Sequence, residues 1–230
     1  VLTFASSVKA LMTDPRLPSE VDPAGLVGFY VFGSVPEPYT IRKAVRAVPA
    51  GTSLILSRGA PEREDRYHSL PSVLAGAERC RDAPSGDRGE VARAALLDSV
   101  RHHLVADVPV GAFLSSGIDS GALVGLMRDA GQASIRTVTL AYTELEGQQA
   151  DEAPLAEKVA RAYGTEHTTR RVTAAEFAAD IPDLIEQMDQ PSVDGVNSWF
   201  VSKAARELVL KVALTGIGGD RAGAVGWRSP

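Results

Sequence analysis

Val110-Gly111-Ala112-Phe113-Leu114-Ser115-Ser116-Gly117-Ile118-Asp119-Ser120 is the stretch on which the reading of this chain turns. Its first half is a short unbroken apolar run, the pattern of a strand buried on both faces. Its second half is a six-residue turn, after which Ala122 to Met127 continues as a helix that Gly131 ends. Successive backbone N–H groups in such a turn face one concavity and can hold an anion. The helix N-terminus adds unpaired donors and a partial positive charge. Ser115 and Ser120 bring hydroxyl donors, and Gly117 permits a positive φ or a close backbone approach. Asp119 would repel a bare phosphate; it makes sense if it orders the loop amides or if Mg²⁺ lies between it and the phosphates. A serine capping a helix after a tight turn explains the same residues, so physics alone leaves both readings open. No lysine follows, so the turn is not a Walker A loop.

Downstream, Ile135 to Tyr142 is β-branched and aromatic, hence a strand. Asp151 to Tyr163 reads as a helix, acidic at its start and followed by Gly164. A strand near Thr168 to Val172, helices near Ala174 to Met188 and Ser198 to Leu208, and a strand from Val212 to Thr215 follow. Strands alternating with helices imply an α/β fold, a doubly wound parallel sheet with right-handed crossovers. Ligands of such sheets lie beyond the carboxyl ends of the strands. Two loops sit there: Ser115 to Ser120, and Gly216 to Asp220 with three glycines between 216 and 219. That glycine density suggests backbone pressed against a ligand, or else a flexible turn.

Upstream, residues 1–70 hold short apolar runs broken by Pro and Gly, among them Leu26 to Phe32, Ala44 to Val48 and Thr52 to Leu56. They read as an incomplete β-rich or mixed segment. Residues 71–89 carry two prolines and three glycines and read as a linker. A formal net charge of −5 argues against non-specific nucleic-acid binding. No apolar run reaches the roughly 18 residues of a membrane span, and no signal peptide is visible. The single cysteine, Cys80, excludes an internal disulfide and reads as a surface thiol. His68, His102, His103 and His167 lack metal-ligand spacing. The absence of an initiating Met makes residue 1 an unexpected natural start.

The turn is similar to the Ser-Gly-Gly-x-Asp-Ser pyrophosphate loop of the PP-loop ATP pyrophosphatases, whose fold is adenine nucleotide α-hydrolase-like. Ala106 to Ser120, Asp189-Gln190-Pro191-Ser192 and Lys211 to Asp220 resemble asparagine synthetase specifically. Phe4 to Leu11, Val35 to Ile41, Pro49-Ala50-Gly51 and Tyr67 resemble the last part of that family's glutaminase domain. The resemblance implies a remnant of that domain over 1–70, a linker over 71–89 and an incomplete ATP-binding domain over 90–220. An atypical tail over 221–230 follows, and the chain reads as a piece cut at both ends.

The resemblance implies an ATP-dependent carbon–nitrogen ligase that makes asparagine from aspartate through β-aspartyl-AMP, with glutamine or ammonia as nitrogen source. ATP and Mg²⁺ would be its cofactors. The implied ATP and pyrophosphate residues are Leu114, Ser115, Ser116, Gly117, Asp119, Ser120, Leu140, Thr215 and Gly216. Asp119 and Asp220 are the implied metal ligands and the candidate catalytic residues. Asp151-Glu152 resembles the acidic pair that opens the next helix, and the same pair also suits a helix N-terminus electrostatically. The family implies a cytoplasmic enzyme without nucleic-acid or membrane partners, with a homodimer as a candidate assembly. Three departures stand out. Ser116 replaces the family's first glycine, Gly121 its second hydroxyl residue, and Arg221 the acidic residue after Asp220. A β-lactam-type synthetase and a non-catalytic nucleotide-binding fragment are the rival readings.

Overall fold

The structure, a computed structural model, describes residues 2–57, 63–79 and 87–216. It divides into two compact units, Val1–Pro84 with Asp183–Val196, and Ser85–Pro182 with Asn197–Pro230.

The first unit contains α1 (Val8–Leu11), α2 (Pro23–Phe32), an antiparallel pair β1 (Thr52–Ile55) and β2 (Arg63–Arg66), and α3 (Leu70–Arg79). The apolar run Leu26 to Phe32 is thus helical. Its punctuation explains this. The Asp22 side chain caps Ala24 N–H at 2.9 Å, Pro23 occupies the first turn, and Gly33 closes the helix at φ 73°. The unit is mixed rather than strand-dominated. The stretch read as a linker likewise holds α3, while residues 80–86, Cys80 among them, lie outside the described residues.

Asp189-Gln190-Pro191-Ser192 belongs to this first unit. The Asp189 carboxylate accepts Val8 N–H at 3.0 Å and Lys9 N–H at 2.8 Å. Gln190 Oε1 accepts Ile41 N–H at 2.8 Å.

The second unit runs α4 (Arg88–His103), β3 (Val110–Phe113), α5 (Ile118–Asp129), β4 (Arg136–Tyr142), a 3-10 turn (Thr143–Leu145), α6 (Ala153–Ala162), β5 (Glu166–Val172), α7 (Ala174–Gln187), α8 (Gly195–Glu207) and β6 (Val212–Leu214). The four strands form one parallel sheet in the order β5-β4-β3-β6. The chain therefore builds outward from β3 to β5, then returns to the other side of β3. That reversal is a topological switch point, and the crevice of such a sheet opens there.

The pleat of β3 decides which helices cover which face. Val110, Ala112 and Leu114 pack with Val100 of α4, Val124 and Met127 of α5, and Ala156 and Ala160 of α6. Phe113 turns the other way, against Val138, Ala204, Ala205 and Leu210. Helices thus cover both faces, and the expected doubly wound parallel sheet is present. Gly111 serves this packing, since a Cβ there would lie 2.9 Å from Arg136 O and 3.1 Å from Leu210 Cδ2. Past the end of α6, Gly164 adopts φ 60° and Thr165 N–H bonds Ala160 O at 3.0 Å.

On the α8 side, Arg170 at the end of β5 holds Glu176 through two 2.5 Å bonds and Glu207 at 3.1 Å. Lys203 joins Glu176 at 2.8 Å and Asp180 at 2.6 Å, and Trp199 Nε1 donates to Asp180 at 2.9 Å. Among the described residues, no helix is long and apolar enough to cross a membrane.

Candidate functional site

Leu114 brings the chain to the carboxyl end of the sheet. It is buried, its N–H donates to Val138 O at 2.9 Å, and its carbonyl accepts Thr139 Oγ1–H at 2.5 Å. The next six residues turn tightly rather than extending. Ser115 N–H donates to Ser120 Oγ at 3.1 Å, the two serine hydroxyls pair at 2.9 Å, and Gly117 N–H donates to Ser115 Oγ at 3.1 Å. Ser120 Oγ also lies 3.1 Å from Gly117 O.

The two serines therefore staple the turn. Ser120 is 7% exposed, and its single hydroxyl proton is claimed from inside the loop. Both hydroxyls thus hold the backbone of the turn. Gly117 has φ −74° and ψ 152°, an extended conformation open to any residue. Its positive-φ option is not used, and a Cβ there would meet only Ser115 Oγ, at 3.1 Å. Ser116 is not among the residues with positive φ, so the loop accepts a serine at that position without backbone strain.

Helix α5 opens on Gly117 with no side-chain cap. The first bond of the helical ladder is Gly121 N–H to Gly117 O, at 3.3 Å. The amides of Ile118, Asp119 and Ser120 thus precede any intrahelical carbonyl they could use. Asp119 is exposed in this first turn. The second loop comes up against it, for a Cβ on Gly216 would lie 3.1 Å from Ser120 N and 3.2 Å from Asp119 C. The first loop and Gly216, where the second begins, therefore meet at the switch point between β3 and β6. Thr215 is exposed just before Gly216, and Leu140 is half-buried near the end of β4. Asp220 lies outside the described residues, as does the Gly218-Gly219 pair.

One neighbour of the turn was not legible as such. Ser116 N–H points to the carboxylate of Glu152, 3.4 Å to Oε2. Glu152 occupies the N-cap position of α6, yet it makes no cap bond to its own helix. Asp151 holds that helix start, accepting Ala153 N–H at 3.1 Å and Gly147 N–H at 3.3 Å. The acidic pair thus splits into one buried structural carboxylate and one exposed carboxylate that reaches the loop. The acidic-pair signal was visible; its division was not.

Among the described residues, no group of three His, Cys, Asp or Glu side chains could hold a metal ion by itself. A hard cation such as Mg²⁺ usually takes one or two carboxylates and completes its shell with waters and substrate phosphates. Asp119, an exposed carboxylate beside open amides, fits one such place. The histidines lie elsewhere. His102 and His103 bond carbonyls of their own helix at 2.8 Å. His167 sits between the Thr137 and Thr169 hydroxyls, and burial lowers its pKa.

An open parallel sheet with an uncapped serine–glycine turn at its switch point defines an α/β domain whose geometry can hold an anion. The sequence pattern of the asparagine synthase family matches residues 91–223, more than half of the chain, and the chain belongs to that family. Asparagine synthetase [glutamine-hydrolyzing] 1 of Bacillus subtilis is 30% identical over 219 residues, covering 94% of this chain and 33% of the relative. A putative asparagine synthetase [glutamine-hydrolyzing] of Mycobacterium tuberculosis is 34% identical over 209 residues, covering 88% of this chain and 30% of the relative. The chain spans about a third of the length of these curated relatives. The solved NH3-dependent NAD synthetase of Campylobacter jejuni overlaps 55% of this chain and 54% of its own at 16% identity, with a TM-score of 0.37.

Proposed function

We propose that this chain is the ATP-using part of a glutamine-hydrolysing asparagine synthetase. In this reading residues 1–70 close a glutaminase domain, 71–89 link, 90–220 bind ATP, and 221–230 form an atypical tail. The observation that carries the reading is the stapled turn Ser115 to Ser120, whose open helix amides lie beside Gly216 at the switch point. Family membership and the names of the relatives support the reaction class.

A carboxylate is a poor electrophile, so it must be activated. An oxygen of the aspartate side-chain carboxylate attacks the α-phosphorus of ATP, the α–β phosphoanhydride bond breaks, and pyrophosphate leaves. Ammonia then attacks the acyl carbon of β-aspartyl-AMP, loses a proton and expels AMP. The chain's residues bind and orient: the amides of Ile118, Asp119 and Ser120 face the pyrophosphate, and Gly216 lets the second loop approach. Leu114 and Leu140 border the nucleotide, and Thr215 lies beside it. Asp119, with Asp220, would hold Mg²⁺, which when bound would neutralise charge on the pyrophosphate.

The test is ATP–pyrophosphate exchange with and without aspartate. Exchange that requires aspartate is the expected result. Nucleotide binding without exchange would establish the non-catalytic alternative, and exchange with a different carboxylate would place the chain with another amide-forming synthetase.

A further inference from the structure

We infer that Glu152 is a built-in competitor for the anion site, a positioning residue whose carboxylate holds the Ser116 amide until a phosphate chain displaces it. The inference rests on the proposed pyrophosphate-binding role of the turn and says what that turn does before its ligand arrives.

Three observations carry it. First, the loop amides are divided by partner type. Ser115 and Gly117 N–H groups are satisfied by hydroxyls inside the turn, at 3.1 Å each. Ser116 N–H is satisfied from outside, by an anionic oxygen. A carboxylate oxygen on a backbone N–H is the same chemistry as a phosphate oxygen there. Second, that bond is long, 3.4 Å, and exposed, so it orders the amide without locking it. Third, the carboxylate is not needed where it stands. Glu152 makes no cap on α6, and Asp151 already binds Ala153 N–H and Gly147 N–H. Asp151 also lies 3.8 Å from Arg171, whereas Glu152 is exposed and free to turn outward.

The electrostatic consequence is specific. Asp119 in the first turn of α5 and Glu152 at the start of α6 both present negative charge to the loop. A bare polyphosphate must therefore expel Glu152 from Ser116 and approach Asp119. The loop discriminates against metal-free anions, and removing the Glu152 carboxylate relaxes that discrimination.

The experiment titrates inorganic pyrophosphate without divalent cation into the 230-residue chain and its variants by calorimetry. Glu152→Gln removes the charge and keeps an acceptor; Glu152→Ala removes both. Glu146→Gln controls for net charge. Each Glu152 variant is expected to bind pyrophosphate about three- to tenfold more tightly than the parent, the scale of one lost charged hydrogen bond at an exposed site. Glu146→Gln should leave the affinity within twofold, on the order of experimental scatter. Equal or weaker binding by both Glu152 variants overturns the inference and leaves the pyrophosphate reading standing. A matching gain in Glu146→Gln overturns it too, because the effect is then one of total charge. Failure of the parent and all variants to bind without cation overturns the inference, and failure to bind with Mg²⁺ added as well overturns the pyrophosphate reading too.

Discussion

At the scale of single residues, two glycines in the candidate site do different work. Gly216 stands with the atoms of the α5 start around its missing Cβ, and those neighbours are backbone, at 3.1 and 3.2 Å. Backbone at a helix start cannot rotate aside, so Gly216→Ala must push two loops apart. Gly117 faces only the Ser115 hydroxyl and has an ordinary φ. Gly216→Ala is therefore expected to cost about 1–3 kcal/mol. Gly117→Ala should cost about 1 kcal/mol or less, the difference between glycine and alanine at an N-cap. Denaturant midpoints measured at unchanged slope would check this. The reverse ranking would mean that the two loops do not pack as described. Sequence alone marked both glycines as special and could not rank them, because the ranking lives in distances between Gly216 and residues far from it in the chain, Asp119 and Ser120. The same holds for the serines. Their hydroxyls were legible as polar atoms near an anion site, but that they point into the turn depends on the turn's closure.

At the scale of elements, the second unit followed its pattern closely. Four strands alternating with helices yielded the parallel sheet and both helical layers. The first unit was less legible, and α2 shows why. Leu26 to Phe32 is apolar on every side, so neither a period of 2 nor one of 3.6 is visible in it. Only Asp22, Pro23 and Gly33, the residues at its ends, carry the helical signal. The ion network around Arg170 was equally hidden, because its partners come from α7 and α8. It makes a prediction at this scale. The Arg170 guanidinium, with Lys203 behind it, lowers the Glu176 pKa from 4.5 to about 2. A depressed carboxylate pKa gives stability that is present above the unfolded value and lost as pH falls through the folded value. The joint of β5, α7 and α8 should therefore weaken between about pH 4.5 and pH 2. Glu176→Gln should already be less stable at pH 7 and should lack this part of the acid transition. Trp199 fluorescence reports it directly, since the indole shares Asp180 with Lys203. Parallel acid curves for variant and parent would remove Glu176 as the cause.

At the scale of the whole molecule, order along the sequence and membership of a compact unit part company. Residues 183–196 lie in sequence between β5 and β6 of the second unit yet are counted with the first. Their motif Asp189-Gln190-Pro191-Ser192 read as a family signature. In the structure its work is local and physical. Asp189 gives one oxygen each to the amides of Val8 and Lys9, the start of α1, and Gln190 accepts from Ile41. A four-residue helix cannot hold itself together, since nucleation is costly and most of its amides precede any helical carbonyl. Ser7 covers only Ala10 N–H, so Asp189 is the cap that α1 needs from elsewhere in the chain. Asp189→Ala should then strip two amides of their acceptor, at a cost of about 1–2 kcal/mol. Amide hydrogen exchange at Val8 and Lys9 should accelerate by about tenfold or more, the equivalent of 1.4 kcal/mol. Asp189→Asn, which keeps an oxygen acceptor and drops the charge, should restore part of the protection. If exchange at both amides is unchanged in Asp189→Ala, α1 is held by packing, and a distant carboxylate is not what connects Phe4 to Leu11 with the rest of its unit.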